Sequence, residues 1–158
     1  RDTGPIGEFL SDAAREGVIA EMICDGVHLD PSLVRDVYEM LGRDSCVFVT
    51  DAMEAAGMPN GTYELGSQTV DVKDGYAYIA GTTTLAGGTA HLLDCVRVAT
   101  FKGGIDLVDA VFMATVQGAR ILGRYDIGKL EAGMRADVLE LDEQLRPQRV
   151  WRGGTLVK

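Results

Sequence analysis

Two short apolar runs, "VIAEMIC" at 18–24 and "CVFVT" at 46–50, constrain this chain more than any other feature. A nearly continuous apolar run of this length reads as a strand buried on both faces. Between them Asp30 is placed to cap a helix, with Pro31 at its first position. Leu33, Val34, Val37 and Leu41 then recur at helical spacing, and Gly42 supplies the stop. Strand, helix and strand with short joints make a βαβ unit, so the strands are parallel with a right-handed crossover. A parallel pair needs further strands beside it and helices on both faces. No other apolar run of this kind occurs in the 158 residues. With an opening Arg1-Asp2-Thr3 and no Met, the reading is an internal segment of something longer.

Beyond Pro59-Asn60-Gly61 the period changes from helical to two. Val70 and Val72, a turn at Asp74-Gly75, then Tyr76 and Tyr78 predict a hairpin, and Gly66 marks an earlier turn. A short antiparallel meander follows from this. The Thr- and Gly-rich "GTTTLAGGT" at 81–89 leads to a helix with Leu92, Val96 and Ala99 on one face. Asp106 caps another, carrying Leu107, Ala110, Val111 and Ala114, and a helical turn is expected at 119–122. The tail returns to strands at 136–142 and 149–157, with Gly153-Gly154 as a two-residue turn.

Charge and cysteine usage exclude several classes. Fifteen Lys and Arg against 24 Asp and Glu leave a formal charge of −9, which repels phosphate backbones and anionic lipid. Nucleic acid and membrane are therefore not expected partners. No apolar run reaches the roughly 18 residues of a membrane helix, and no basic-then-apolar signal opens the chain. Cys24, Cys46 and Cys95 form no CxxC pair and each lies in an apolar context. They read as buried reduced thiols, which fits a cytoplasmic protein.

Asp51 follows the second strand directly. At the carboxyl end of a parallel strand a carboxylate is placed for catalysis, yet it equally could cap a helical turn over "AMEAAG". Spacing alone does not separate the two. His28 stands in the loop after the first strand, so it opens on the same face as Asp51. His91, near a helix start, reads as a solvated residue, and Trp151 as strand packing. The "TLAGGT" loop offers several backbone N–H groups to an anion or polar ligand, but lacks the Gly-Lys-Ser/Thr of a P-loop. There is no HxH, HExxH or serine elbow, and two histidines without a third ligand do not build a catalytic metal site.

"DGVHLDP", "FVTDAMEAAGMPNGTYELG", "GTTTLAGGTAHLLDCVR" and "GKLEAGMRADVLELD" together resemble the N-acetylglucosamine-6-phosphate deacetylase family of the amidohydrolase superfamily. The likeness runs through essentially the whole chain. It implies an α/β fold: the carboxyl-terminal part of a (β/α)8 metal-dependent hydrolase barrel, plus part of a small β-sandwich. The barrel portion would cover 1–127, with a β-meander insertion near 60–80, and the sandwich strands 128–158. Strands 18–24 and 46–50 would be the last two of the barrel. The implied reaction is hydrolysis of the acetamide of N-acetylglucosamine 6-phosphate to glucosamine 6-phosphate and acetate.

The resemblance places the proton shuttle at Asp51. It places contacts to the sugar phosphate at Asp25, Gly26, Val27 and His28, at Leu85, Ala86 and Gly87, and at Arg1. A divalent metal of the zinc or iron class is implied, with ligands (a Glu and two His) that match nothing in this chain. Two further expectations follow: a homo-oligomer, or a missing amino-terminal portion that completes the machine. The alternatives are a catalytically silent assembly piece, or another amidohydrolase acting on cyclic amides in the manner of a dihydroorotase.

Overall fold

β1 (Ala20–Ile23) and β2 (Cys46–Val49) pair in parallel, Ala20 opposite Cys46 through Ile23 opposite Val49. The computed structural model describes Ser11 and residues 17–158. Helix α1 (Pro31–Leu41) connects the two strands as the sequence predicts. The Asp30 carboxylate accepts from the Ser32 N–H at 2.8 Å and from its hydroxyl at 2.6 Å. Gly42, at φ 76°, ends the helix and donates its N–H to the Tyr38 carbonyl. Both contacts satisfy backbone groups that a helix end leaves without partners.

The expectation that β1 is buried on both faces is corrected. Ala20 and Met22 are buried, but Glu21 is exposed and Ile23 only half-buried. A lone carboxylate is strongly disfavoured in an apolar layer, so the strand turns this position to water. In β2, by contrast, Cys46, Val47 and Phe48 are all buried. That strand packs against α2 (Leu92–Phe101), α3 (Leu107–Ala114) and α4 (Val116–Ile121). Val34, Phe48, Cys95 and Met113 meet in one core, each large side chain contributing roughly 1.5–3 kcal/mol by its burial.

Helix α3 turns inward only part of the apolar set that the sequence places on it, Ala110 and Ala114 facing the core. Ala110 and Met113 are buried, whereas Leu107, Val108 and Val111 are exposed. Seven of the eight residues in "LVDAVFMA" are apolar. The pattern therefore marks no face, and the partner strand chooses it. The Asp106 cap is as expected, its carboxylate accepting from the Val108 N–H at 2.8 Å.

β3 (Gly61–Leu65), β4 (Gln68–Lys73) and β5 (Tyr76–Ile79) form the antiparallel meander. Asp74 and Gly75 both take positive φ, 52° and 83°, as a tight hairpin turn with matching twist requires. Val70, Val72 and Ala77 point into a second small core with Met53, Ala55 and Ala86. Tyr76 and Tyr78 stand on the opposite face with parallel rings 6.2 Å apart.

The tail forms a third sheet, β6 (Val138–Leu141), β7 (Pro147–Arg152) and β8 (Thr155–Leu156), with the predicted glycine turn between the last two. Arg97 of α2 donates from Nε and Nη2 to the Leu145 carbonyl, at 3.1 and 2.7 Å, tying the β6–β7 turn to the helical layer. Among the described residues no helix is long and apolar enough to cross a membrane.

Candidate functional site

The parallel pair releases two loops at its carboxyl ends, and a third segment joins them from the far side of the meander. The first loop is a tight turn organised by Asp25. Its Oδ1 accepts from the backbone N–H groups of Val27 (2.8 Å) and His28 (2.9 Å), and its Oδ2 lies 2.8 Å from His28 Nδ1. Gly26 provides the positive φ of 77° that lets the chain reverse so sharply. Burial pushes the Asp25 carboxyl upward, but the His28 and Val27 amides and the His28 ring outweigh it. The net effect holds Asp25 below the usual carboxylate range.

The ring nitrogen that carries the proton follows from this partner. An ionised carboxylate can only accept, so His28 Nδ1 donates to it, and in the neutral ring the lone pair is then on Nε2. Nε2 faces Asp51, 3.9 Å from Oδ2. The Asp25 side chain is 5 % exposed and that of His28 15 %, whereas the Asp51 side chain is 56 % exposed. The site is thus a buried carboxylate, a largely covered imidazole and an open carboxylate in series.

Asp51 takes φ 50°, the left-handed region that side chains rarely enter. No helix follows it: residues 52–59 form a bridge and turns. The cap reading therefore has no helix end to serve. The distortion lets Asp51 bond the incoming segment instead. The Gly88 N–H donates to the Asp51 carbonyl at 2.6 Å, and the Met53 N–H donates to the Gly88 carbonyl at 2.9 Å.

Leu85, Ala86 and Gly87 run into this contact. The Ala86 N–H is taken by the Ala77 carbonyl at 3.0 Å, and Leu85 bridges Tyr78. The loop is consequently held like a short extra strand, not as an open cradle of N–H groups, and the helix begins only at Leu92. A Cβ on Gly87 would lie 3.1 Å from the Asp51 carbonyl oxygen and 3.8 Å from its Oδ2. Glycine there lets the backbone pass directly beside the carboxylate.

The structure thus brings together Asp25, Gly26, Val27, His28, Asp51 and residues 85–87. Arg1 lies outside the described residues. His91 is well exposed and pairs with Asp94 at the start of α2. A cleft of about 360 Å³ on the outer face of the meander, lined by Asp71, Lys73, Tyr76 and Tyr78 among others, shares none of the site residues. Sequence reasoning missed the fixing of His28 by Asp25. The signal was present, since Asp with a backbone turn two and three residues on is a common Asx arrangement.

Among the described residues no group of three or more His, Cys, Asp or Glu side chains could hold a metal ion. The cysteines are buried and free, and burial pushes their thiols up to about 12 for Cys24, 11 for Cys46 and 12 for Cys95. Neutral thiols of this kind are poor metal ligands. These residues do not by themselves fit a metal centre.

A protein-family model described as the amidohydrolase family matches residues 4–157. The chain is 37 % identical over 162 residues to the N-acetylglucosamine-6-phosphate deacetylase of Danio rerio, covering 96 % of this chain and 40 % of that protein. It is 34 % identical to a putative N-acetylgalactosamine-6-phosphate deacetylase of Escherichia coli K12, covering 99 % and 91 %. An aspartate-to-alanine mutant of N-acetyl-D-glucosamine-6-phosphate deacetylase from Mycobacterium smegmatis, in complex with N-acetyl-D-glucosamine-6-phosphate, superimposes with a TM-score of 0.83. Its identity is 41 %, over 89 % of this chain and 38 % of that one. The chain spans about 40 % of the length of the first curated relatives it matches.

Proposed function

The chain belongs to the amidohydrolase family, and from that premise we propose that it forms part of a deacetylase acting on an N-acetylated amino-sugar 6-phosphate, in the first place N-acetylglucosamine 6-phosphate. Its fold is a portion of the (β/α)8 barrel of that family. We assign the barrel portion to 1–127 and the second-domain strands to 128–158. The observation that carries the functional reading is the facing of His28 Nε2 and Asp51 Oδ2 at 3.9 Å, at the carboxyl ends of adjacent parallel strands.

Asp51 suits proton transfer because its carboxylate is open to solvent and faces His28 Nε2. As water attacks the acetamide carbonyl carbon, Asp51 takes one water proton. As the C–N bond breaks, it returns that proton to the departing nitrogen, giving the free amine and acetate. His28 orients the substrate by a hydrogen bond at Nε2. The backbone at Gly26 and Val27 and at Leu85, Ala86 and Gly87 forms the walls beside it. The family is generally metal-dependent; a divalent ion of the zinc or iron class would draw its ligands from outside the described residues.

The test is acetate release from N-acetylglucosamine 6-phosphate by the natural polypeptide that carries this chain, run beside its galactosamine epimer and a panel of cyclic amides. Turnover of the sugar phosphates supports the reading, and turnover confined to cyclic amides overturns it. A second reading is that the 158-residue chain alone is silent and self-associates. It is supported by the two-stranded parallel sheet, in which each strand has a single hydrogen-bonded neighbour among the described residues. Sedimentation of the isolated chain, with the deacetylase assay on the same sample, checks it. A stable monomer or measurable turnover refutes it.

A further inference from the structure

The resemblance assigns Asp25 to the substrate, but its geometry points elsewhere. Its side chain is 5 % exposed, Oδ1 already accepts two backbone N–H groups, and Oδ2 is engaged by His28 Nδ1. Three of the carboxylate's roughly four acceptor positions are thus taken inside the protein, and its burial leaves little of it open to a ligand group. Resting on the reading of His28 and Asp51 as the substrate site, we propose that Asp25 is a positioning residue that does not touch substrate: it locks His28 as the Nδ1–H tautomer and so presents an unprotonated Nε2 to the space beside Asp51.

This has a consequence for recognition. With Nε2 unprotonated, it and the Asp51 carboxylate are both acceptors, and acceptors do not bond to each other. Their separation of 3.9 Å exceeds the roughly 2.7–3.2 Å of a hydrogen bond. The group that fits between them carries its own proton, as a sugar hydroxyl or a water does. A phosphate, which offers only acceptor oxygens at neutral pH, does not fit Nε2 in this form. The chemical class selected at this point is therefore a hydroxyl of the sugar ring.

The tautomer is read directly from the ring ¹⁵N shifts of His28 in the 158-residue chain, at about pH 8.5, two units above the ordinary histidine pKa. The expected result is a proton on Nδ1. In Asp25→Asn the amide oxygen can keep the Val27 and His28 N–H groups while the NH2 faces Nδ1, so the proton moves to Nε2. A wild-type ring protonated at Nε2 overturns the proposal, as does an unchanged tautomer in folded Asp25→Asn. The wild-type spectrum decides even where the variant does not fold. These spectra require no catalysis, so they fail or succeed independently of the deacetylase reading. In the natural polypeptide, Asp25→Asn should lower kcat/KM roughly 10- to 100-fold, and Asp25→Asn with His28→Ala should lose no more than His28→Ala alone. Additive losses would show that Asp25 contacts substrate on its own account.

Discussion

The Thr50 carbonyl oxygen occupies the space that a side chain on residue 88 would need: a Cβ built on Gly88 stands 2.2 Å from it. No real Cβ tolerates such an approach, and both partners are backbone. The end of β2 and the 85–89 segment can therefore lie together only because residue 88 is glycine. This contact sets the distance between Asp51 and the loop that walls its carboxylate.

Gly88→Ala should push the segment off the strand end. It would break the Gly88 N–H bond to the Asp51 carbonyl and the Met53 N–H bond to the Gly88 carbonyl, each worth about 0.5–1.5 kcal/mol. The urea midpoint should fall accordingly, by roughly 1–3 kcal/mol of stability in all. Gly66→Ala is the control: nothing lies within 4 Å of the added atom, and its cost comes from a positive φ of 62° that Gly88 does not share. That variant should cost only the left-handed penalty of about 1–2 kcal/mol and leave the ring environment of His28 unchanged. Equal NMR perturbation of His28 by both would count against the close-approach argument.

Asp51→Asn should lower turnover of the natural polypeptide by about 10² to 10⁴, the range for a general acid–base group. Thermal stability should hardly change, since no helix follows Asp51 for its carboxylate to cap. Full activity with a lowered Tm would reverse the assignment.

His28→Ala should raise KM for the phosphorylated sugar while the metal content of the purified protein stays constant, because the ring is placed to hold substrate. Atomic absorption beside steady-state kinetics measures both. Loss of stoichiometric metal would make His28 a ligand instead.

The Asp25 carboxyl is held below its ordinary value of 3.8, and the sign of its effect on stability follows. The folded state binds this proton less readily than the unfolded chain does. Its stabilising contribution is therefore complete above the ordinary carboxylate pKa and is lost as pH falls through the lower folded value. Wild-type protein should lose this increment of denaturant resistance in acid, and Asp25→Asn should lack that part of the pH dependence. Parallel acid profiles for the two proteins would refute the claim.

The thiols of Cys24, Cys46 and Cys95 are raised to about 12, 11 and 12 by burial. Thiolate is the reactive form, so at about pH 8 none should be alkylated by iodoacetamide in the folded chain. All three should react in urea, as intact mass will show. Because the unfolded thiols ionise near 9.0 while the folded ones stay neutral, stability should also decline as pH rises above that value. Rapid native labelling of Cys95 would contradict its burial.

What the amino-acid sequence determined by itself was local. The caps at Asp30 and Asp106, the stop at Gly42, the Asp74-Gly75 hairpin and the apolar runs of β1 and β2 each depend on neighbours a few residues away. Such short-range chemistry is legible in one dimension. The tertiary structure decided the rest. It turned Glu21 to solvent, picked Ala110 and Met113 as the inner face of an almost wholly apolar α3, and put Asp51 into a left-handed conformation with no helix to cap. It also drew Gly88 against Thr50 and aimed His28 Nε2 at Asp51 Oδ2. Those outcomes depend on which distant backbone groups remain to be bonded and which side chains fill a shared core, and residue spacing along the chain carries no measure of either.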